Sequence, residues 1–241
     1  MPNIAVWKQD LDRWGLRRFV WLRVMVALRR QLVLCRVQLR VVDPPSADPT
    51  VTASGCAVRV ATRAELLRAA ADSSMALNTR DIETAHVRGD VCVGAFDGDR
   101  LVSYAWRSFN DARWAPRVWV TCERPYPYVY KVFTHPTYRG RALATAVARF
   151  ADDYCATRGY THAVSLIETH NHAAIASERK RGSRVAGWAG YVTVGQRHYP
   201  FRSPRARHHG LALHYVPGDV PYVRPSVVPM RPRRSFVRHL F

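Results

Sequence analysis

Residues whose types and spacing could do chemistry concentrate in one short basic turn, Tyr138-Arg139-Gly140-Arg141-Ala142-Leu143-Ala144. The turn follows a strand-like run and opens directly into an amphipathic, helix-like one. Such a turn aims unpaired backbone N–H groups outward at the positive end of a helix dipole. That is an anion site, and a pyrophosphate suits it. Ala142 and Ala144 are small enough to let phosphate oxygens approach the backbone, while Arg139 and Arg141 add charge. Two nucleotide-binding patterns are excluded: the chain has no G-x-x-x-x-G-K-[ST] here, and no G-x-G-x-x-G opening a dinucleotide fold. The five cysteines, Cys35, Cys56, Cys92, Cys122 and Cys155, are scattered, odd in number and form no C-x-x-C pair. This argues against a zinc site or a disulfide scaffold and for a reducing cytoplasm, with each thiol a small buried hydrophobe.

The stretch Arg139-Gly140-Arg141-Ala142-Leu143-Ala144 resembles the acyl-CoA-binding signature of the GCN5-related N-acetyltransferases, the GNAT family. That signature reads arginine or glutamine, two residues, glycine, one residue, then glycine or alanine. His135-Pro136-Thr137-Tyr138 fits the family's lead-in, and Ala142 stands where glycine is commoner. A second unit follows. A strand over 160–169, then Asn171-His172-Ala173-Ala174-Ile175 and Lys180-Arg181-Gly182, resembles the family's strand, asparagine, small-residue helix and terminating glycine. The resemblance runs over about 56–216, with two departures. Glu178 takes the position where the family often has a tyrosine that protonates the leaving thiolate, and Ser183 replaces the aromatic that usually follows the glycine.

The resemblance implies acyl transfer from acetyl-CoA, or another acyl-CoA, to an amine acceptor. It assigns the pyrophosphate to the backbone of Arg139, Gly140, Arg141, Ala142, Leu143 and Ala144. The pantetheine arm lies along Val132, Phe133 and Thr134 through main-chain hydrogen bonds, and a backbone N–H of that strand meets the thioester oxygen as it becomes an oxyanion. Asn171 bonds the pantetheine arm, caps the following helix, or does both. The amine must lose a proton before it attacks. Glu168, at the end of the strand after the signature helix, and His170, two residues on, are candidate bases. The alternatives are a salt bridge from Glu168 to one of many arginines and an ordinary loop histidine. Tyr130 and Glu123 are further candidates, and Tyr128 or Tyr130 is a candidate acid for the thiolate.

The elements that position these residues follow from periodicity. Short strands are expected at 57–61, 91–96, 100–109, 118–122 and 126–134, and helices at 63–71 (Thr62 and Glu65 forming a capping box) and 79–87. The signature helix should run from about Ala142 to 158 and end at Gly159. A helix at 172–181 and strands at 185–194 and 211–216 complete the series, with 196–210 reading as a long basic loop. Periodicity alone gives a mixed α/β domain; the resemblance implies the fold class α/β (α+β), a GNAT-like mixed, mostly antiparallel twisted sheet with helices on both faces, to which the sequence adds an N-terminal basic amphipathic helix. Three regions are expected. Residues 1–50 form a basic helix, a half-buried strand over 32–42 and a Pro-rich linker. Residues 51–216 form the acyltransferase domain, and 217–241 a Pro/Arg-rich tail too poor in apolar residues to pack.

The formal net charge of +19 calls for an anionic partner or surface. Residues 1–42 carry nine Lys/Arg against two Asp, and 197–241 nine Arg against one Asp. The apolar and arginine residues of 10–30 suit either an anionic membrane surface, peripheral on its inner face, or packing on the domain or a second subunit. A run interrupted by arginines this often is no transmembrane span. The reading from another function class is a non-catalytic GNAT scaffold that binds nucleic acid or an anionic surface through its basic arms. Acceptor choice is expected to lie in the helices of 63–87 and in the loops.

Overall fold

In the computed structural model the structure describes residues 11–12, 14–44, 52–115 and 117–217. Two sheets form the scaffold. The larger has nine strands. In chain order they are β1 (Leu32–Val41), β2 (Thr52–Ala53), β3 (Cys56–Val60), β4 (Val91–Asp97), β5 (Arg100–Ser108), β8 (Tyr128–Thr134), β9 (His162–Glu168), β10 (Arg184–Val194) and β11 (Arg197–Arg202). Their spatial order is β11-β10-β1-β9-β8-β5-β4-β3-β2. Every pairing is antiparallel except β8 with β9. The smaller sheet joins β6 (Ala112–Ala115), β7 (Val118–Cys122) and β12 (Leu211–Tyr215) in the order β12-β7-β6.

Strand alternation in β4 sends side chains to two cores. Val93 and Ala95 meet Leu143, Val147 and Ala151 of α4 (Leu143–Ala156), the helix that follows the basic turn. Cys92 and Phe96 point the other way, to Leu66 of α2 (Arg63–Ala70) and to Ile82 and Ala85 of α3 (Thr79–Val87). The expected capping box forms: the Thr62 side chain accepts from the Glu65 N–H, and Glu65 accepts from the Thr62 N–H at 2.8 Å. A third core lies between the two sheets and contains Val37, Leu39, Val120, Val164 and Leu211. α5 (His172–Lys180) follows β9, and α6 (Pro204–His208) packs on β10. Gly187 makes that last contact possible. A β-carbon there would clash with the Ser203 hydroxyl oxygen and stand 2.9 Å from the Ala206 nitrogen.

The sequence expectations need correcting in several places. β1, assigned to an N-terminal extension, is an inner strand of the main sheet, antiparallel to both β9 and β10. Its alternation reads as half-buried, yet Cys35, Val37 and Leu39 are fully enclosed and even Gln38 is buried, because neighbouring layers cover both faces. The strand before the turn starts at Tyr128, and Ala142 is the cap of α4 rather than its first residue. α4 ends at Ala156, before Gly159. The stretch 196–210 is no simple loop; β11 pairs with β10 along its whole length, and α6 follows. β6 was not anticipated. The linker at 45–51 and the tail beyond Pro217 lie outside the described residues.

The N-terminal helix α1 (Leu16–Leu28) is present, but apolar residues surround it instead of forming one face. Met25 is buried, and the Trp21 indole N–H donates to the Thr169 hydroxyl at 3.2 Å. Leu16, Val20, Val24 and Leu28, spaced four apart, remain exposed. No helix among the described residues is long and apolar enough to cross a membrane.

Candidate active site

The site begins with a fault in β8. Tyr130 faces Trp106 of β5 and Phe133 faces Tyr104, so Lys131 and Val132 together oppose Ala105 alone. This is a β-bulge, and Lys131 adopts a φ of +51° within it. On its other edge β8 pairs with β9 only at Tyr128–Val164 and Val129–Ser165. Beyond these pairs the strands part. The free edge of β8, including Val132, Phe133 and Thr134, becomes one wall of a cleft of about 980 Å3. Glu168, His170 and Asn171, at and beyond the end of β9, form the opposite wall, and Leu22 of α1 closes one side. Tyr130, Arg139 and Ala144 also line the cleft.

The basic turn lies at the start of α4 and is held from several sides. The His135 imidazole pairs with the Thr137 hydroxyl at 2.7 Å and the Ser74 hydroxyl at 3.1 Å. The Tyr138 hydroxyl donates to Asp97 at 2.6 Å, and the Ser54 hydroxyl donates to the Arg141 carbonyl at 3.0 Å. Gly140 and Ala142 both take positive φ, +81° and +57°, with Arg141 between them. No side chain caps α4. None of the backbone N–H groups from Gly140 to Ala144 has an acceptor among the described residues. Consecutive unpaired donors at a helix N-terminus are what a pyrophosphate requires. The left-handed backbone at Ala142 supplies the physical reason why glycine suits that position. Two expected contributors have other neighbours: the Leu143 side chain is buried beneath the sheet, and the Arg141 guanidinium lies over the Tyr138 ring, 4.9 Å from its centroid.

Glu168 and His170 come together, with Oε2 to Nε2 at 3.0 Å. His170 Nδ1 is buried without a hydrogen-bond partner among the described residues. Tyr130 is engaged elsewhere. Its hydroxyl donates to Asp90 Oδ2 at 2.5 Å, Arg88 contacts the same carboxylate at 2.5 Å, and the Ser108 hydroxyl donates to Asp90 Oδ1 at 2.7 Å. Burial, and then the Asp90 charge, push the Tyr130 hydroxyl far above its ordinary value. A phenol so held keeps its proton at neutral pH. The Asn171 side chain accepts from the Ala174 N–H at 3.1 Å, so it caps α5 while facing the cleft. Glu178 is buried; its carboxylate pairs with Arg181 and accepts from the Ser183 hydroxyl at 2.6 Å. Asp152 of α4 pairs with Arg40 and, at 3.3 Å, with Arg107. Burial draws the Arg107 guanidinium down to about 10. No group of His, Cys, Asp and Glu among the described residues could hold a metal ion.

The sequence model of the Acetyltransferase (GNAT) family matches residues 61–182. The chain belongs to the GNAT acetyltransferase family. Two solved structures similar to this GNAT chain are GCN5-related N-acetyltransferases. That of Sphaerobacter thermophilus is 16% identical, covering 70% of this chain and 53% of its own, with a TM-score of 0.46. That of Kribbella flavida is 15% identical, covering 67% of this chain and 59% of its own, with a TM-score of 0.43. The chain thus spans little more than half the length of either. No curated protein matches it.

A second cavity, of about 540 Å3, adjoins the cleft and was missed from the sequence. Trp114, Tyr130, Lys131 and Leu166 line both spaces. Its outer wall includes Arg113 and Trp114 of β6, a strand too short to be legible as a pattern. The sequence signal that could have found it is the pair Arg113-Trp114 itself, a cation beside a large aromatic between two turn-like stretches.

Proposed function

We propose that the protein is an acyl-CoA-dependent N-acyltransferase, using acetyl-CoA or another acyl-CoA and an amine acceptor. The observation that carries this reading is the continuity of the unpaired N–H groups at Gly140–Ala144 with the open edge of β8. One extended ligand with a pyrophosphate at one end and amide groups along its arm fits both. The N–H groups of the turn hold the anionic end, with Arg139 on the cleft wall adding charge. The main chain of Val132, Phe133 and Thr134 pairs with the arm as a further strand would, and the Asn171 side chain orients it from the opposite wall. An acyl-CoA, when bound, supplies the activated carbonyl carbon. A strand N–H at the bulge is suited to receive the charge that develops on the carbonyl oxygen.

His170 takes the amine's proton. His170 Nδ1 is enclosed, so the proton leaves through the Glu168–His170 Nε2 pair on the cleft wall, directly or through one water. Glu168 steadies the imidazolium that forms. Tyr130, bonded to Asp90, serves as a fixed wall between the two cavities instead of a base. Glu178 is engaged as an acceptor by Arg181 and Ser183 and serves the fold. Calorimetry with acetyl-CoA and longer acyl-CoAs tests the cofactor; absence of binding to all of them sinks the reading. His170→Asn should lower kcat by about 10²–10⁴-fold, the usual contribution of a positioned base, with acetyl-CoA affinity unchanged. A kcat within threefold of wild type removes His170 from the mechanism.

A further inference from the structure

We propose, on the acyl-transfer reading above, that the acceptor is a small amine carrying a carboxylate or phosphate, bound in the second cavity with its amine beside Tyr130 and Leu166 and its anionic end at Arg80. The shared lining fixes the amine end. Trp114, Tyr130, Lys131 and Leu166 face both spaces, so a ligand in the second cavity reaches the acyl group where β8 and β9 part.

The walls define the rest of the molecule. Trp106 stacks on Tyr130 with ring centroids 6.0 Å apart, and Tyr128 stacks on Tyr130 at 5.8 Å. With Trp114 they make aromatic sides for a planar or apolar body. A cavity of about 540 Å3 suits a small molecule rather than a folded protein surface.

The charge is one-sided. Arg80, Arg88, Arg113 and Lys131 line the cavity against the single carboxylate Asp81. Asp81 is already engaged: Lys131 Nζ lies 2.8 Å from Oδ2, and the Asn78 side-chain amide donates to the same oxygen at 2.7 Å. Burial raises the Asp81 carboxyl, but the Lys131 bond and the charges of Lys131 and Arg113 outweigh it and hold the group below the ordinary range. Arg88 is held by Asp90 behind the wall. A cavity so charged attracts an anionic group and repels a polyamine or a lysine-rich tail.

The test is calorimetry on the acetyl-CoA-saturated full chain at pH 7, using 4-(aminomethyl)benzoate, 4-(aminomethyl)benzamide, 2-aminoethyl phosphate, ethanolamine and spermidine. The first pair differs only in the carboxylate, and the second asks the same question of phosphate. At least one anionic probe should bind tenfold or more tightly than its neutral partner, with spermidine weakest. Which anionic probe wins distinguishes carboxylate from phosphate. Arg80 is exposed, so Arg80→Ala and Arg80→Glu should keep the wild-type melting temperature and acetyl-CoA affinity. The anionic preference should fall below threefold in the first and reverse in the second. Tighter binding of a neutral probe or of spermidine overturns the proposal, as does a preference that survives Arg80→Glu or failure of every probe while acetyl-CoA binds. Failure of acetyl-CoA itself overturns the acyl-transfer reading, and this proposal with it.

Discussion

Gly140 offers a way to separate the proposed anion-binding role of the basic turn from its role in the fold. Its φ is +81°, and a β-carbon added there meets nothing within 4 Å. Any side chain at 140 therefore suffers the same backbone strain, about 1–2 kcal/mol for an L-residue in the left-handed region. In a chain of this size each kcal/mol lowers the melting temperature by about 2–4 °C. Gly140→Ala and Gly140→Trp should thus be destabilised equally, by several degrees. They should differ in binding. The alanine methyl leaves the anion volume mostly open, whereas the indole fills it and blocks one or two N–H donors. A hydrogen bond to a charged group is worth about 1.5–3 kcal/mol, so each one lost weakens acetyl-CoA binding by about 10- to 150-fold. Calorimetry reads the affinity and differential scanning reads the stability. If Gly140→Trp binds acetyl-CoA within threefold of Gly140→Ala, the pyrophosphate does not lie on this turn. If both variants lose binding and melt far below the expected shift, the turn holds the fold and the binding argument fails.

Other substitutions test neighbouring parts of the structure. Ala142→Gly relieves a φ of +57° and should raise the melting temperature by about 2 °C after the added chain entropy is offset; a fall would mean the backbone there is unstrained. Asp152→Ala leaves the buried guanidiniums of Arg40 and Arg107 without their shared carboxylate. Breaking a buried pair in this way costs about 3–5 kcal/mol, so a melting temperature lowered by less than about 5 °C would refute the account of the cluster. Glu65 is held down to about 2, first by its hydrogen bond with Arg59, which with the Thr62 hydrogen bonds outweighs the opposing effect of burial. Its folded value lies below the unfolded value of about 4.3, so its contribution is complete above that pH and is lost as pH falls toward 2. Urea melts of Glu65→Gln should therefore show lower stability than wild type at pH 6 and equal stability near pH 2; an equal loss at both pH values would argue against the linkage.

The legible parts of the molecule were those set by local chemistry. The capping box at Thr62–Glu65, the strands on either side of Gly98 and the basic turn before α4 depend on a few adjacent residues, and each stands where the sequence put it. The N–H groups of the turn were readable because a small-residue helix start specifies its own geometry. What the sequence hid is tertiary. β1 reads as a half-buried strand of an extension because its arginines alternate with apolar residues; Arg40 is in fact carried inward by its pairing with Asp152 of α4, more than a hundred positions away. The bulge at Lys131 leaves no mark, since no glycine or proline announces it. The isolation of His170 Nδ1 follows from packing around a loop, which periodicity does not describe. The second cavity was invisible because its lining comes from α3, β5, β6, β8 and β9, whose spacing in the chain bears no relation to their spacing in the fold.

The bulge joins the two cavities along one wall. By setting Lys131 and Val132 against a single residue of β5, it breaks the regular course of β8 just past Tyr128 and Val129, where pairing with β9 stops. The parting strands expose main-chain groups to the cleft while Tyr130, Lys131 and Leu166 are presented to both spaces. On the proposed acyl-transfer reading, an amine in one cavity and an acyl group in the other would meet across the shared wall. Holding reactants in this way replaces a collision with an intramolecular step and can supply much of the rate without specialised acids. Glu178 in the place of the family's tyrosine is therefore compatible with catalysis. Its carboxylate, used by Arg181 and Ser183, secures the end of α5 that carries Asn171 at its start. The proposed mechanism leaves one task to side chains, removal of the amine's proton, and the cleft wall brings His170 and Glu168 together.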